Sequence, residues 1–322
     1  MTTSGSGASS TDRRGGGRSI RTSLLVAVLV VTGCGGRDAS SIDVSTEQCG
    51  TSSTERYAEL PGVPAALTSV DVHRPAATEG DCSDRPLVVW VHGGAWTGGD
   101  KADHIGDKVR LFTEAGYVLA SVNYRLTDAA AVPPAPQYPV HDGDVATAIS
   151  WLIEHAQELG IDRRRIAVLG HSAGGGIVAA VATDPRFLGE HGLGLDALRC
   201  AGSIDGEGYD VTAGATHPDP FVHDVYLDAF GDDPTTWTEA SPMRHVAADR
   251  GIPDFFIAAR GPDMRLDLHV EFAHALRSAE VPVKVVDARS LDHAEVSVDI
   301  GAPTDTVVTP ALMEFLDGCF DA

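Results

Sequence analysis

From about residue 68 onward, short apolar runs rich in β-branched residues alternate with longer stretches in which apolar residues recur at helical spacing. The run 86–92 is apolar almost throughout and is followed by glycines, which is typical of a strand buried in a parallel sheet. The predicted strands are 68–73, 86–92, 117–124, 165–169, 201–204, 255–259 and 281–286. The predicted helices are 103–115, 141–159, 173–183, 266–278 and 306–316. This alternation predicts an α/β fold with a mostly parallel sheet and helices on both faces.

Residues 206–252 interrupt the alternation. The segment mixes aromatic residues with many Asp, Gly and Pro residues, and it is too long for a plain connection between a strand and a helix. We therefore expect a short cap, an insertion that lines a pocket.

The N-terminal segment has a different composition. Residues 1–20 are rich in Ser, Gly, Thr and Arg, and the eight apolar residues 24–31 follow them. A basic region followed by a short apolar core is typical of a signal peptide, whereas a membrane-spanning helix takes about 20 apolar residues. We expect a signal peptide over 1–33, a flexible tether over 34–54 and the folded domain over 55–322.

The end of the apolar run, Val31-Thr32-Gly33-Cys34, resembles the lipobox of bacterial lipoproteins, in which the cysteine is acylated. The resemblance implies an exported protein, anchored to the outer face of the bacterial cell membrane through lipid on Cys34. An ordinary cleaved signal, with Cys34 incidental, is the alternative.

The net charge of −22 disfavours nucleic acid as a partner, because an acidic surface repels phosphate groups. Four further cysteines, an even number, suggest two disulfides in an exported protein, with three possible pairings. We favour Cys49–Cys82, near the first strands, and Cys200–Cys319, which joins a strand start to the last helix. The spacing of Cys and His residues does not predict a metal site, and the sequence does not indicate an oligomeric state.

The sequence Gly170-His-Ser172-Ala173-Gly-Gly lies between a predicted strand and a helix of small residues. A nucleophilic serine needs such a tight turn, and flanking glycines keep other side chains away from it. The turn also places the Ala173 N–H at a helix N-terminus, where an oxyanion is stabilised. Ser172 is therefore the candidate nucleophile.

A second glycine motif, His92-Gly93-Gly94-Ala95-Trp96, follows the predicted strand 86–92. Its backbone can turn N–H groups toward a tetrahedral intermediate, which needs two or three such donors. We expect His92 to brace this loop.

Together these motifs resemble those of the hormone-sensitive-lipase-like esterases of the α/β-hydrolase fold and of their kynurenine-formamidase-like and feruloyl-esterase-like relatives. The resemblance runs from about residue 70 to 316. It implies hydrolysis of small carboxylic esters through a triad in the order Ser, Asp, His, without a cofactor. It also implies an oxyanion hole formed by the N–H groups of Gly94, Ala95 and Ala173, with Gly93 as an alternative to Ala95.

The remaining triad members are expected after the last strands. His293 is the only histidine after the predicted strand 281–286 and is the candidate base. Asp263 follows the strand 255–259 and is the candidate acid, although Arg260-Gly261-Pro262-Asp263 departs from the His-Gly-x-x-Asp of the resembled family. Asp267 is the competing candidate, and Asp292 is expected to be a solvated neighbour.

Two other functions remain open at this stage. An amide or formamide hydrolase would use the same triad, because esters and amides share the tetrahedral intermediate. A non-catalytic binding protein on the same scaffold would normally lack one triad member.

Overall fold

In the described part of the chain, eight strands form one sheet. They are β1 (Ser52–Arg56), β2 (Ser69–His73), β3 (Arg85–Val91), β4 (Val118–Val122), β5 (Ile161–His171), β6 (Cys200–Ile204), β7 (Asp254–Ala259) and β8 (Val283–Asp287). Their spatial order is β1-β2-β4-β3-β5-β6-β7-β8. β1 pairs antiparallel with β2 and β2 antiparallel with β4, and every other pair is parallel. This is the mostly parallel sheet that the alternation of elements predicts.

This computed structural model describes residues 49–77, 81–128, 130, 136–261 and 263–321, and only the backbone of residues 263 and 264. All of them fall in one of the two units of the chain, residues 42–322. The predicted signal peptide, Cys34 and most of the predicted tether lie outside the described residues. None of the helices described is both long and apolar enough to span a bilayer.

Helices connect the strands and cover the sheet. They are α1 (Gly106–Glu114), α2 (Val140–Glu154), α3 (Ala156–Leu159), α4 (Ala173–Thr183), α5 (Pro185–Gly189), α6 (Val211–Ala215), α7 (Pro220–Phe230), α8 (Pro234–Glu239), α9 (Asp263–Ser278), α10 (Glu295–Val298) and α11 (Val308–Asp321). α6, α7 and α8 lie within the segment predicted as a cap.

The core has two layers because successive side chains of a strand point to opposite faces of the sheet. In β3, Val89 and Val91 pack in the layer that contains residues of α2, α4 and α9. Val88 and Trp90 pack in the other layer, with residues of α1 and α11. β4 is buried over its whole length, as expected for a strand covered on both faces.

Two features of the fold bear on the predicted boundaries. β1 begins at Ser52, inside the segment expected to be tether, because its backbone pairs with β2 although its side chains are polar. The structure contains both favoured disulfides, with Cα–Cα distances of 5.8 Å for Cys49–Cys82 and 6.3 Å for Cys200–Cys319. The second bridge fastens the start of β6 to α11.

Candidate active site

Ser172 occupies the sharp turn between β5 and α4. Its backbone has φ 55° and ψ −124°, a strained conformation for a residue with a side chain. The Ser172 N–H donates to the Ile204 carbonyl at 3.1 Å, which ties the turn to the end of β6. The turn is so tight that a Cβ at Gly174 would lie 2.4 Å from the carbonyl oxygens of Val91 and His92. This is the strand–turn–helix context that the sequence motif predicts for a nucleophile.

His293 lies in the loop between β8 and α10, and its ring faces the serine. The distance from His293 Nε2 to Ser172 Oγ is 3.0 Å, so Nε2 can accept the hydroxyl proton. His171, beside the serine in the sequence, donates from Nε2 to the His293 carbonyl oxygen at 2.8 Å. The backbone of the base is thereby tied to the turn that carries Ser172.

The carboxylate paired with this histidine is that of Asp205, a residue for which the sequence predicts no catalytic role. His293 Nδ1 donates to Asp205 Oδ2 at 2.5 Å. Asp205 is the first residue after β6, has φ 42° and is fully buried. Its N–H donates to the Ala258 carbonyl at 3.0 Å, which holds it against the end of β7.

Asp205 takes the place that the sequence analysis expected Asp263 to fill. Asp263 is the first residue of α9, and its side chain lies outside the described residues. Asp267 is exposed to solvent, and Asp292 is also exposed and accepts the N–H groups of Ala294 and Glu295.

The carboxylate can follow β6 in place of β7 for a topological reason. β6 and β7 are parallel neighbours whose ends lie side by side, with Ile204 paired to Ala258. A residue after either strand can therefore reach the histidine. The residue after β7 is Arg260, and its Nη1 donates to Asp205 Oδ2 at 3.0 Å. The end of β7 thus supplies a cation that holds the carboxylate of β6.

A second arginine completes this charged cluster. Arg265 Nη1 lies 3.2 Å from Asp205 Oδ2 and 3.0 Å from His293 Nδ1, and Arg265 Nη2 donates to Glu207. Burial alone would raise the pKa of Asp205, but the His293 hydrogen bond and the Arg265 charge outweigh it and lower the pKa below its ordinary value. For Glu207, burial is the largest influence and raises the pKa. Asp205 is therefore held as a carboxylate.

The predicted oxyanion loop lies against the nucleophile. A Cβ at Gly93 would be 3.0 Å from the Ser172 Cβ, so a side chain at this position would crowd the serine. Gly94 has φ 121°, and Ala95 and Trp96 also have positive φ. Among the described residues, the N–H groups of Gly94, Ala95 and Ala173 donate to no protein acceptor. These donors line the same cavity as Ser172.

His92 braces this loop, as expected. Its Nδ1 donates to the Gly93 carbonyl at 2.7 Å, and its ring stacks on Tyr124 with 4.5 Å between ring centroids. Burial lowers the pKa of His92, which keeps the ring neutral. The side chain therefore fixes the path of the loop and is not placed between Ser172 and a carboxylate.

A cavity of about 520 Å³ opens at Ser172. Its cap side is apolar and is formed by Trp96 together with Phe221, Val222, Val225 and Tyr226. Trp96 is buried and packs edge-on against Tyr226, with 5.4 Å between ring centroids. The segment predicted as a cap therefore supplies a wall of the cavity.

The sequence comparisons agree with this architecture. The BD-FAE family model matches residues 70–190. Esterase LipI of Mycobacterium tuberculosis is 29% identical over 236 residues, which cover 71% of each chain. LipM, a probable carboxylic ester hydrolase of the same organism, is 30% identical over 53% of this chain and 40% of its own.

The chain is thus similar to carboxylesterases, as its resemblance to the hormone-sensitive-lipase-like group implies. Its α/β-hydrolase fold matches the esterase Est2 of Thermogutta terrifontis with a TM-score of 0.64 and 20% identity, over 84% of this chain and 92% of Est2. The fold and the family resemblance expected from the sequence are thus confirmed.

Proposed function

We propose that this esterase relative hydrolyses carboxylic esters of small molecules through an acyl-enzyme on Ser172. The supporting observation is a pair of linked contacts beside a cavity. Ser172 Oγ lies 3.0 Å from His293 Nε2, and His293 Nδ1 lies 2.5 Å from Asp205 Oδ2. Nucleophile, base and acid need this geometry for acyl transfer.

In the first half of the reaction, Ser172 Oγ attacks the ester carbonyl carbon while its proton moves to His293 Nε2. The negative charge then forms on the carbonyl oxygen, where the N–H groups of Gly94, Ala95 and Ala173 stabilise it. His293 returns the proton to the leaving oxygen as the C–O bond breaks, and the alcohol departs. Ser172 is left as an ester of the acyl group.

Water completes the cycle. It gives a proton to His293 Nε2 as its oxygen bonds to the acyl carbon, and Ser172 leaves with that proton as the carboxylic acid forms. Throughout, Asp205 accepts the Nδ1–H of His293, which selects the productive tautomer and stabilises the imidazolium. We propose Asp205 as the acid of the triad in place of Asp263.

A panel of p-nitrophenyl esters of increasing acyl length tests this function. Ser172→Ala should lower kcat by about 10⁶-fold without unfolding the protein, because a triad nucleophile is lost. Ser278→Ala, at an exposed serine on α9, is the matched control and should retain wild-type activity. Activity within tenfold of wild type in Ser172→Ala, with contaminating esterases excluded, would contradict the proposal.

We also propose that the protein is exported and held at the membrane by lipid on Cys34. The two disulfides support this location, because structural disulfides persist in oxidising compartments. Wild-type protein should partition with membranes and Cys34→Ser should not. Wild-type protein that is unacylated and wholly soluble would contradict the anchor but not the hydrolase.

A further inference from the structure

The two oxygens of the Asp205 carboxylate have unequal surroundings. Oδ2 accepts from His293 Nδ1 at 2.5 Å, from Arg260 at 3.0 Å and from Arg265 at 3.2 Å. Oδ1 is buried and accepts no hydrogen bond from the described residues. A buried carboxylate oxygen without a donor is costly, so the neighbours of Oδ1 decide how the group is held.

The polar side chain that faces Oδ1 is His269 of α9. It is fully buried, and its Nε2 lies 3.8 Å from Asp205 Oδ1. Neither ring nitrogen of His269 makes a hydrogen bond of good geometry within the described residues. Tyr209 packs edge-on against the ring, with 5.5 Å between centroids and 74° between planes. Two unsatisfied polar groups therefore face each other behind the proposed triad.

The charge state of His269 shows that its ring has one proton to donate to Asp205 Oδ1. Burial lowers its pKa to about 4, so the ring is neutral at neutral pH and carries one N–H. The Arg265 carbonyl, one turn earlier in α9, is the other acceptor beside the ring. A carboxylate is the stronger acceptor, which favours the tautomer with the proton on Nε2.

We propose that His269 is a positioning residue whose Nε2–H donates to Asp205 Oδ1 and fixes the rotation of the carboxylate. An approach of about 1 Å brings the two atoms to hydrogen-bond distance. This inference rests on the proposed function, because it concerns the acid of the proposed triad.

The arginines explain why the carboxylate needs this contact. Arg260, Arg265 and His293 all donate to the same oxygen of Asp205, so a rotation of the carboxylate toward the arginines would weaken the His293 contact. A donor on Oδ1 opposes that rotation and keeps Oδ2 on His293. His269 thus preserves the tautomer of the base without touching the substrate.

Three substitutions at His269 separate a donor from a packing residue. The amide nitrogen of Gln lies near the position of Nε2, whereas that of Asn lies near Nδ1. His269→Leu should lower kcat about 10- to 100-fold, the range for a hydrogen bond to a charged group, with KM nearly unchanged. His269→Gln should restore most of kcat, and His269→Asn should not. His274→Leu, at an exposed position on the same helix, is the control.

A double-mutant cycle then connects the effect to the acid. In an Asp205→Asn background, His269→Leu should cause almost no further loss, because His269 acts through that carboxylate. Wild-type kcat in His269→Leu, or equal loss in the Gln and Asn variants, would overturn the inference. If His269→Leu fails to fold, the comparison of Gln with Asn decides the question. Wild-type activity in Asp205→Asn would instead contradict the proposed triad.

Discussion

Replacement of Asp205 by Asn tests the proposed acid with the smallest change of shape. The side chain keeps its volume, and its amide oxygen can still accept from His293 Nδ1. Its amide nitrogen is a donor, however, and an amide that turns toward His293 favours an unprotonated Nδ1. The proton then resides on Nε2, and the ring cannot accept the proton of Ser172 Oγ at 3.0 Å.

A second feature of the structure should also lower kcat in Asp205→Asn. Arg265 Nη1 lies 3.0 Å from His293 Nδ1 and can donate to that atom once it is unprotonated. Loss of the carboxylate thus removes the partner of the productive tautomer and leaves a donor that stabilises the unproductive one. Loss of tautomer control in a triad lowers kcat by about 10⁴-fold, and we expect a loss of this size.

Steady-state kinetics on a p-nitrophenyl ester, with folding checked by circular dichroism, measures the effect. Asp263→Asn and Asp267→Asn are the informative comparisons, and Asp292→Asn is a control at an exposed position. We expect these three variants to stay within about tenfold of wild type, whereas Asp205→Asn collapses. Near-normal kcat in Asp205→Asn together with collapse in Asp263→Asn would refute the reasoning from geometry.

Three further measurements probe other parts of the structure. Gly94→Ala places a Cβ 2.1 Å from the Gly98 carbonyl, so we expect kcat to fall about 10²- to 10³-fold as an oxyanion donor moves, whereas Gly98→Ala stays near wild type. Removal of the Cys200–Cys319 bridge should lower the free energy of unfolding by roughly 2–5 kcal/mol in a urea titration, and no change would show that the bridge is dispensable. Burial raises the pKa of Asp142 to about 8, so the folded protein binds a proton at this side chain more tightly than the unfolded chain does. The stabilisation from this bound proton is fully present below the unfolded pKa and is lost as pH rises toward 8. Between about pH 4 and 8, wild type should therefore lose stability relative to Asp142→Asn by up to about 1.4 kcal/mol per pH unit, and parallel stability curves would contradict this.

The fold was predictable because the strands and helices of its core carry strong local signals. β3 and β4 are largely apolar, and α4 is rich in small residues and directly follows the turn at Ser172. The sequence does not predict β1, because all five of its side chains are polar, as in a tether, and its strand conformation depends on pairing with β2.

Two candidate site residues could be named from the sequence because each combined a suitable residue type with a suitable position in the fold. Ser172 and His293 each had a distinctive sequence context, and their 3.0 Å contact agrees with the roles expected of them. The carboxylate was not distinctive, because an Asp followed each of two strands. Only the three-dimensional structure shows that Asp205 faces His293 and that Arg260, at the end of β7, donates to that carboxylate.

With Asp205 as the acid, the reacting groups come from the ends of β5, β6 and β8, and the loop after β7 no longer needs a carboxylate. This arrangement divides two tasks between neighbouring strands, because the carboxylate follows β6 and the arginine that holds it follows β7. Substitutions at residues 261–264 would therefore leave every member of the proposed triad in place.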